Sequence, residues 1–114
     1  MISTHVLDTA RGLPASGLSV TLAMRDSTDK ADKAEWRSVG RRTTDDHGRV
    51  ASFSDAPLGA GTYRLTFETA AYHRAAGVTP FFPEVVVTFD VQSGAHCHVP
   101  LLLSPFGYST YRGT

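Results

Sequence analysis

Short runs of β-branched and aromatic residues, separated by glycine, proline, aspartate and serine, recur along this chain. In the clearest run, 62–69 (TYRLTFET), the apolar residues Tyr63, Leu65 and Phe67 alternate with polar ones. Successive side chains of a strand point to opposite faces, so this alternation predicts a strand with one buried face. Repeated short strands between turn residues favour an all-β sandwich.

The same pattern predicts seven or eight strands and one short helix. The predicted strands span 3–8, 18–24, 36–44, 49–53, 62–69 and 84–91, and a final hairpin follows a turn at 92–94. The polar segment 25–35 is predicted to be a hairpin loop. The alanine-rich segment 70–76 is the one helix candidate, and Gly77 is expected to cap its C-terminus. The segment 45–48 predicts a turn in which Gly48 adopts a positive φ.

Length and composition favour one soluble globular domain, residues 1–114, that can bury a core without disulfides. Eleven Lys and Arg residues balance eleven Asp and Glu residues, which argues against a nucleic-acid-binding protein or a basic membrane-surface helix. No apolar run approaches the ~18 residues that a membrane-spanning helix needs. The N-terminus does not resemble a secretory signal, and the single cysteine, Cys97, suits a reducing compartment. We therefore expect a cytoplasmic protein.

The last nineteen residues, HCHVPLLLSPFGYSTYRGT, combine an apolar strand, a turn and a second strand rich in tyrosine. His96 and His98 alternate around Cys97, so on a strand both imidazoles share one face, roughly 7 Å apart. A frayed terminus needs neither this strand nor the aromatic and basic residues that follow it. We expect this tail to be ordered and to build a site.

Four groups are candidates for chemistry: His5, Arg49, His98 and the segment 111–114. One interpretation is a zinc hydrolase, because a His-x-His pair and a third imidazole, here His5, His96 and His98, form a zinc ligand set. The other is metal-free general acid–base catalysis, in which histidine takes a proton from water and Arg49 holds a polar or anionic substrate.

The remaining reactive side chains are interpreted as structural. His47 lies in a predicted turn and His73 in the predicted helix, so both are expected to be surface residues. Cys97 is predicted to face away from its flanking histidines, which argues against a nucleophilic role. The sequence contains no G-x-S-x-G elbow, P-loop or dinucleotide-binding fingerprint.

The residues resemble the 5-hydroxyisourate hydrolases, the transthyretin-related enzymes of urate breakdown, over essentially the whole chain. The ending YSTYRGT is similar to that family's Tyr-Arg-Gly-Ser terminus, and transthyretin itself shares LLSP and YST but lacks the Tyr-Arg-Gly end. Further matches are the opening strand HVLD, the second strand GLPASGLSVTL and the segment PFFPEVVVTF. The turn DHGR resembles the family's Asp-Gly-Arg turn, with His47 as an extra residue.

This resemblance implies a transthyretin-like antiparallel β-sandwich of two four-stranded sheets, with a short helix after the fifth strand. It implies a homotetramer, a dimer of dimers around a central channel, with active sites where the dimers meet. The implied reaction is hydrolysis of 5-hydroxyisourate at a ring amide, giving 2-oxo-4-hydroxy-4-carboxy-5-ureidoimidazoline in purine catabolism. No cofactor or metal is required by this interpretation.

The resemblance also implies the site residues. The family's histidines fall on His5 and His98, either of which would activate water, and its arginine falls on Arg49, which would hold the substrate oxygens. The family's terminal tetrapeptide falls on Tyr111, Arg112, Gly113 and Thr114. Of these, Tyr111 would position the substrate and Arg112 would hold the tail in place. Thr114 replaces the family's serine and keeps a hydroxyl.

The main alternative to an enzyme is a transthyretin-like protein that binds a small ligand without catalysis. The intact tail, together with His5, Arg49 and His98, speaks against that alternative.

Overall fold

The computed structural model describes residues 1–26 and 35–114, which form nine strands and one helix. In chain order they are β1 (Ile2–Asp8), β2 (Leu13–Pro14), β3 (Ser19–Arg25), β4 (Trp36–Thr43), β5 (Arg49–Val50), β6 (Gly61–Phe67), α1 (Thr69–Ala75), β7 (Val85–Val91), β8 (Cys97–Leu103) and β9 (Tyr108–Thr110). Most of the predicted loop 25–35 lies outside the described residues.

The strands form the predicted sandwich of two sheets. One sheet is antiparallel throughout, in the order β4-β3-β6-β7. The other has the order β2-β1-β8-β9, and β5 pairs with β1. The expectation of a second four-stranded antiparallel sheet is wrong in two details, because that sheet has five strands and its β1–β8 pair is parallel. Two of the five, β2 and β5, are only two residues long and share the same edge of β1.

The core lies between the two sheets. In β6, the face predicted from alternation is confirmed, because Tyr63, Leu65 and Phe67 are fully buried. On the facing sheet, Val6 of β1 and Leu101 of β8 are fully buried as well. Burial of apolar surface on both inner faces stabilises the sandwich and fixes which face of each strand remains outside.

The strand predicted at 49–53 ends early, at Val50. Beyond it, the Ser52 hydroxyl donates a hydrogen bond to the backbone carbonyl of Ser54 (2.8 Å). Such a local bond competes with the sheet ladder. Phe53 is buried between the sheets instead of extending the strand. Gly40 accommodates the Phe53 carbonyl, which a Cβ at that position would overlap.

The helix ends as predicted, with Gly77 at φ 74° just beyond it. The Gly77 N–H donates to Arg74 O (3.0 Å) and the Val78 N–H to His73 O (2.9 Å), a Schellman motif that satisfies the last carbonyls. No helix among the described residues has the length and apolar character required to cross a membrane.

The prediction that His73 is a surface residue is wrong, because it is only 3% exposed. The buried residues of α1 are Thr69, Ala70, Tyr72 and His73, a spacing that places them on one face of the helix. The rings of Tyr72 and His73 pack edge to face, with their centroids 5.5 Å apart. The Tyr72 hydroxyl donates to Oδ2 of the buried Asp8 (2.8 Å) and thereby ties the helix to the end of β1.

Replacing Tyr72 with Phe removes this donor and leaves the buried Asp8 carboxyl with one partner fewer. We expect the free energy of unfolding to fall by about 2 kcal/mol, the scale for a hydrogen bond to a charged group. Urea and thermal unfolding followed by circular dichroism measure the change. Tyr108→Phe is the control, because the Tyr108 hydroxyl has no hydrogen-bond partner within 1–26 and 35–114. Equal stability of Tyr72→Phe and the wild type would contradict this role.

Candidate active site

Three of the predicted site residues lie on neighbouring strands of one sheet. His5 of β1 is directly opposite Arg49 of β5, and Ser3 of β1 is directly opposite His98 of β8. Opposed residues of paired strands extend to the same face, and positions 3 and 5 of β1 share a face as well. The two imidazoles and the guanidinium are therefore carried by one outer face of the β5-β1-β8 strands.

His98 is half-buried, and its Nδ1 lies 2.8 Å from the Ser3 hydroxyl oxygen. Burial lowers the pKa of His98 below its ordinary value of 6.5, and the positive charge of Arg49 lowers it further, followed by His5 and His96. Both effects disfavour the imidazolium. At neutral pH, His98 is thus a neutral imidazole that can accept a proton.

His5 is held by a different partner. Its Nε2–H donates to the backbone carbonyl oxygen of His47 at 2.9 Å. A carbonyl oxygen only accepts hydrogen bonds, so Nε2 carries the hydrogen and the neutral ring keeps its lone pair on Nδ1. The His47 side chain is exposed, as predicted, but its backbone belongs to the site.

The turn 45–49 carries both the His47 carbonyl and Arg49. Asp45 Oδ1 accepts hydrogen bonds from the backbone N–H groups of His47 and Arg49, each at 2.9 Å. These bonds, that of Arg49 first, hold the pKa of the Asp45 carboxyl below its ordinary value, against a smaller opposing effect of desolvation. Gly48 has the predicted positive φ, 74°, and its carbonyl accepts the Val6 N–H (2.8 Å). The turn is thus docked onto β1.

The tail folds back along β8. Thr110 pairs with Leu101, and its hydroxyl donates to the Pro100 carbonyl at 2.7 Å. Further on, the Gly113 N–H donates to the His98 carbonyl at 2.8 Å, which forms an isolated β-bridge. A Cβ on Gly113 would overlap the His98 imidazole, so only glycine lets the tail approach the ring this closely.

A cleft of ≈ 420 Å³ collects part of the predicted site. Its lining includes Ser3, Asp45, Arg49, His98 and Thr114. The structure therefore brings His98, Arg49 and the end of the tail together, and His5 adjoins them through its pairing with Arg49.

Tyr111 and Arg112 occupy a different position. They line a separate pocket of ≈ 300 Å³, together with Val87 and Phe89 of β7 and with Cys97. Within one chain, these two tail residues are therefore grouped with the edge of the other sheet and not with the cleft that holds His98.

In the structure, the three histidines of the zinc interpretation do not form a ligand set, although His96 and His98 line the same cleft. His96 precedes β8, which begins at Cys97, so the expected strand alternation of His96 and His98 is not formed. Within 1–26 and 35–114, no group of three or more His, Cys, Asp or Glu side chains is arranged to hold a metal ion.

Two residues of the site were not predicted from the sequence. Ser3 lies two positions before His5, and strand periodicity places both on one face. Asp45 opens a turn three residues before Gly48, the position at which aspartate commonly accepts bonds from following backbone N–H groups. Both signals are present in the sequence, but each becomes specific only once the strand pairing is known.

The arrangement combines a neutral imidazole, a second imidazole of defined tautomer and a permanent cation. A neutral imidazole can take a proton from water, and a guanidinium can stabilise negative charge developing on an oxygen. This set of groups suits the attack of water on a polar carbonyl compound.

The comparisons with known proteins point in the same direction. The chain matches the HIUase/Transthyretin family over residues 2–113. It is 44% identical over 115 residues to a probable 5-hydroxyisourate hydrolase of Caenorhabditis elegans, covering 99% of this chain and 81% of that protein. The structure is similar to Klebsiella pneumoniae 5-hydroxyisourate hydrolase, with a TM-score of 0.84 and 40% identity over 99% of this chain and 98% of that one. Transthyretin from Sparus aurata gives a TM-score of 0.86 at 30% identity, covering 98% of this chain and 95% of that one.

Replacing Arg49 with Gln tests the electrostatics of the cleft without reference to any reaction. Removing the positive charge removes one cause of the lowered pKa of His98, so the pKa should rise toward 6.5. The imidazolium should then persist to higher pH than in the wild type, although the pKa should stay below 6.5 because burial remains. An NMR titration of the His98 ring measures the shift, with Arg42→Gln, an exposed arginine of β4, as control. A fall in the pKa of His98 would contradict this account.

Proposed function

Because the chain belongs to the HIUase/transthyretin family, we propose that it hydrolyses 5-hydroxyisourate to 2-oxo-4-hydroxy-4-carboxy-5-ureidoimidazoline in urate degradation. It is thus a hydrolase of a cyclic amide. The observation that carries the proposal is that His98 and Arg49 line one cleft, in which burial and the Arg49 charge lower the pKa of His98.

In this reaction, the oxygen of water bonds to a carbonyl carbon of the ring. The bond from that carbon to the ring nitrogen then breaks, and the nitrogen leaves with a proton. We propose that His98 accepts the proton of water through Nε2. This requires its Nδ1 to carry the hydrogen and to donate it to the Ser3 hydroxyl, which lies 2.8 Å away.

His5 and Arg49 act on the substrate in this proposal. Arg49 holds the substrate oxygens with its planar guanidinium and stabilises the negative charge that develops on the attacked carbonyl oxygen. His5 offers Nδ1 as an acceptor for a substrate N–H, because its Nε2–H is engaged by the His47 carbonyl. The polar ring of 5-hydroxyisourate supplies both kinds of partner.

The tail completes the site. Gly113 packs against the His98 ring and limits its movement, and Thr114 lines the cleft. We propose that Tyr111 positions the substrate and that Arg112 holds the tail in place. Since both line the pocket beside β7 within one chain, their contribution to the cleft is proposed to require a neighbouring subunit.

The edges of the two sheets support assembly. The edge strand β4 exposes Arg37, Arg41 and Arg42, and such charges discourage pairing with another chain. The edge strands β7 (VVVTFDV) and β9 (YST) contain neither Lys nor Arg. Exposed apolar side chains lie on or beside them, namely Phe81, Val86, Phe106 and Tyr108. We propose that a second copy pairs along β7 and β9 and that two such dimers form a cytoplasmic homotetramer.

The alternative function is that of a carrier of small ligands, which the likeness to transthyretin favours. A carrier needs a shaped cavity, but it needs no neutral imidazole held beside a guanidinium. The residues of the cleft therefore support a hydrolase rather than a carrier of small ligands.

The activity is tested by following the ultraviolet decay of freshly prepared 5-hydroxyisourate with and without protein. We expect the wild type to accelerate decay, and His98→Asn to lower kcat by about 100-fold or more, the usual contribution of a general base. A melting temperature close to that of the wild type excludes misfolding as the cause. No acceleration by the wild type would favour the carrier, and loss of the wild-type rate on treatment with a chelator would favour the zinc hydrolase.

The assembly is tested by placing a charge on the unprotected edge. Val86→Lys introduces a cation on β7, and we expect the mass from light scattering to fall below that of a tetramer. Thr43→Lys adds the same charge at the already basic edge β4 and should leave the tetramer intact. A wild-type protein that is monomeric and active at assay concentration would contradict the proposed assembly.

A further inference from the structure

The turn between β4 and β5 depends on one acidic side chain. We infer that Asp45 is a positioning residue of the active site, which sets the tautomer of His5 and the placement of Arg49 together. This inference rests on the proposed function for its kinetic consequence, but its structural part stands without it.

Asp45 closes the turn through both its backbone and its side chain. Its carbonyl accepts the Gly48 N–H at 2.9 Å, and its own N–H donates to the Arg49 carbonyl at 3.0 Å. Oδ1 accepts the N–H groups of His47 and Arg49. A single oxygen thus anchors two backbone positions, and both of those positions serve the site.

The first position acts on His5. The His47 N–H is bound by Asp45, and the carbonyl of the same residue accepts the Nε2–H of His5. The peptide units on either side of a Cα have only two soft dihedrals between them, so anchoring the N–H restricts where the carbonyl lies. Asp45 therefore acts on His5 through the His47 backbone, and it keeps Nδ1 as the nitrogen that can accept a hydrogen bond.

The second position acts on Arg49. Its N–H is bound by Asp45, and its backbone is directly opposite His5 in the β1–β5 pair. A guanidinium on a long side chain has many rotamers, so a fixed backbone limits the volume that it samples. Asp45 itself lines the cleft that contains Arg49 and His98.

The role requires an acceptor oxygen at a set distance and not a negative charge. Asp45 is exposed, where interactions between charges are weakened by solvent. An asparagine places its amide oxygen where Oδ1 of the aspartate lies, and it can accept the same two N–H groups. A glutamate keeps the charge but moves the oxygens by one methylene. Asp46, the next residue, is exposed and has no hydrogen bond through its side chain within 1–26 and 35–114.

These differences define a set of four variants: Asp45→Asn, Asp45→Ala, Asp45→Glu and Asp46→Ala. On 5-hydroxyisourate, we expect Asp45→Ala and Asp45→Glu to lose roughly 10- to 100-fold in kcat/KM, the scale of a misplaced catalytic group. Asp45→Asn should stay within about 3-fold of the wild type, and Asp46→Ala should match it. If Asp45→Ala does not fold, the contrast between Asp45→Glu and Asp45→Asn carries the same test. Equal losses in Asp45→Asn and Asp45→Ala, or no loss in Asp45→Glu, would overturn the inference.

A double-mutant cycle separates positioning from general stability. In the background of His5→Ala with Arg49→Ala, the further change Asp45→Ala should cost less than about 3-fold, because the groups that it positions are gone. An undiminished cost in that background would show that Asp45 acts elsewhere and would overturn the inference.

The tautomer is measured directly and without substrate. In spectra that correlate ring ¹⁵N and carbon-bound ¹H, His5 should show one tautomer with the hydrogen on Nε2 in the wild type, Asp45→Asn and Asp46→Ala. In Asp45→Ala it should show a mixture of both tautomers. A wild type that leaves 5-hydroxyisourate decay unchanged would refute the proposed function alone, whereas an unchanged His5 tautomer in Asp45→Ala would refute the positioning role.

Discussion

The register of β1 between β5 and β8 is the constraint on which the site depends. Ile2 and Val6 of β1 are fully buried. A shift of the β1 register by one residue would expose them and would rotate the side chains of Ser3 and His5 toward the core. Hydrophobic burial on one face of β1 therefore determines which groups meet on the other. Through the pairs Ser3–His98 and His5–Arg49, that register brings two imidazoles and a guanidinium together.

Backbone hydrogen bonds then attach the turn 45–49 and the C-terminal tail to the strands that carry the site. The turn 45–49 docks through the bond from the Val6 N–H to the Gly48 carbonyl, and the tail docks through the bond from the Gly113 N–H to the His98 carbonyl. At both glycines a Cβ would overlap its neighbour, the Val6 carbonyl in one case and the His98 ring in the other. These two backbone hydrogen bonds therefore hold the turn on β1 and the tail on β8.

Local patterns in the sequence predict most of the elements, but not their pairing. The alternation of Tyr63, Leu65 and Phe67 predicts a buried face, and Gly77 predicts a helix end, because both depend on neighbouring residues alone. The contact between Ser3 and His98 joins residues 95 positions apart, and no local pattern reports it. The burial of His73 is not evident from the sequence, because a helix of seven residues has too few turns to show a clear apolar stripe. The separation of Tyr111 from the cleft depends on the pocket that β7 and the tail enclose, which is a property of the packed sandwich.

In the proposed reaction, the charge of Arg49 has two opposing effects, one on the basicity of His98 and one on the oxyanion. Together with burial, which is the larger cause, it lowers the pKa of His98 and favours the neutral imidazole at neutral pH, but it also weakens that imidazole as a base. In the mechanism that we propose, the same cation stabilises the oxyanion that forms when water attacks, so the loss of basicity is offset where negative charge develops. If burial alone lowered the pKa of His98, the base would be weakened and no cation would be present to stabilise the oxyanion. In the proposed mechanism, a cation on the same sheet face therefore makes a half-buried histidine suitable for hydrolysis, and the adjacent strands β5, β1 and β8 bring Arg49 and His98 to that face.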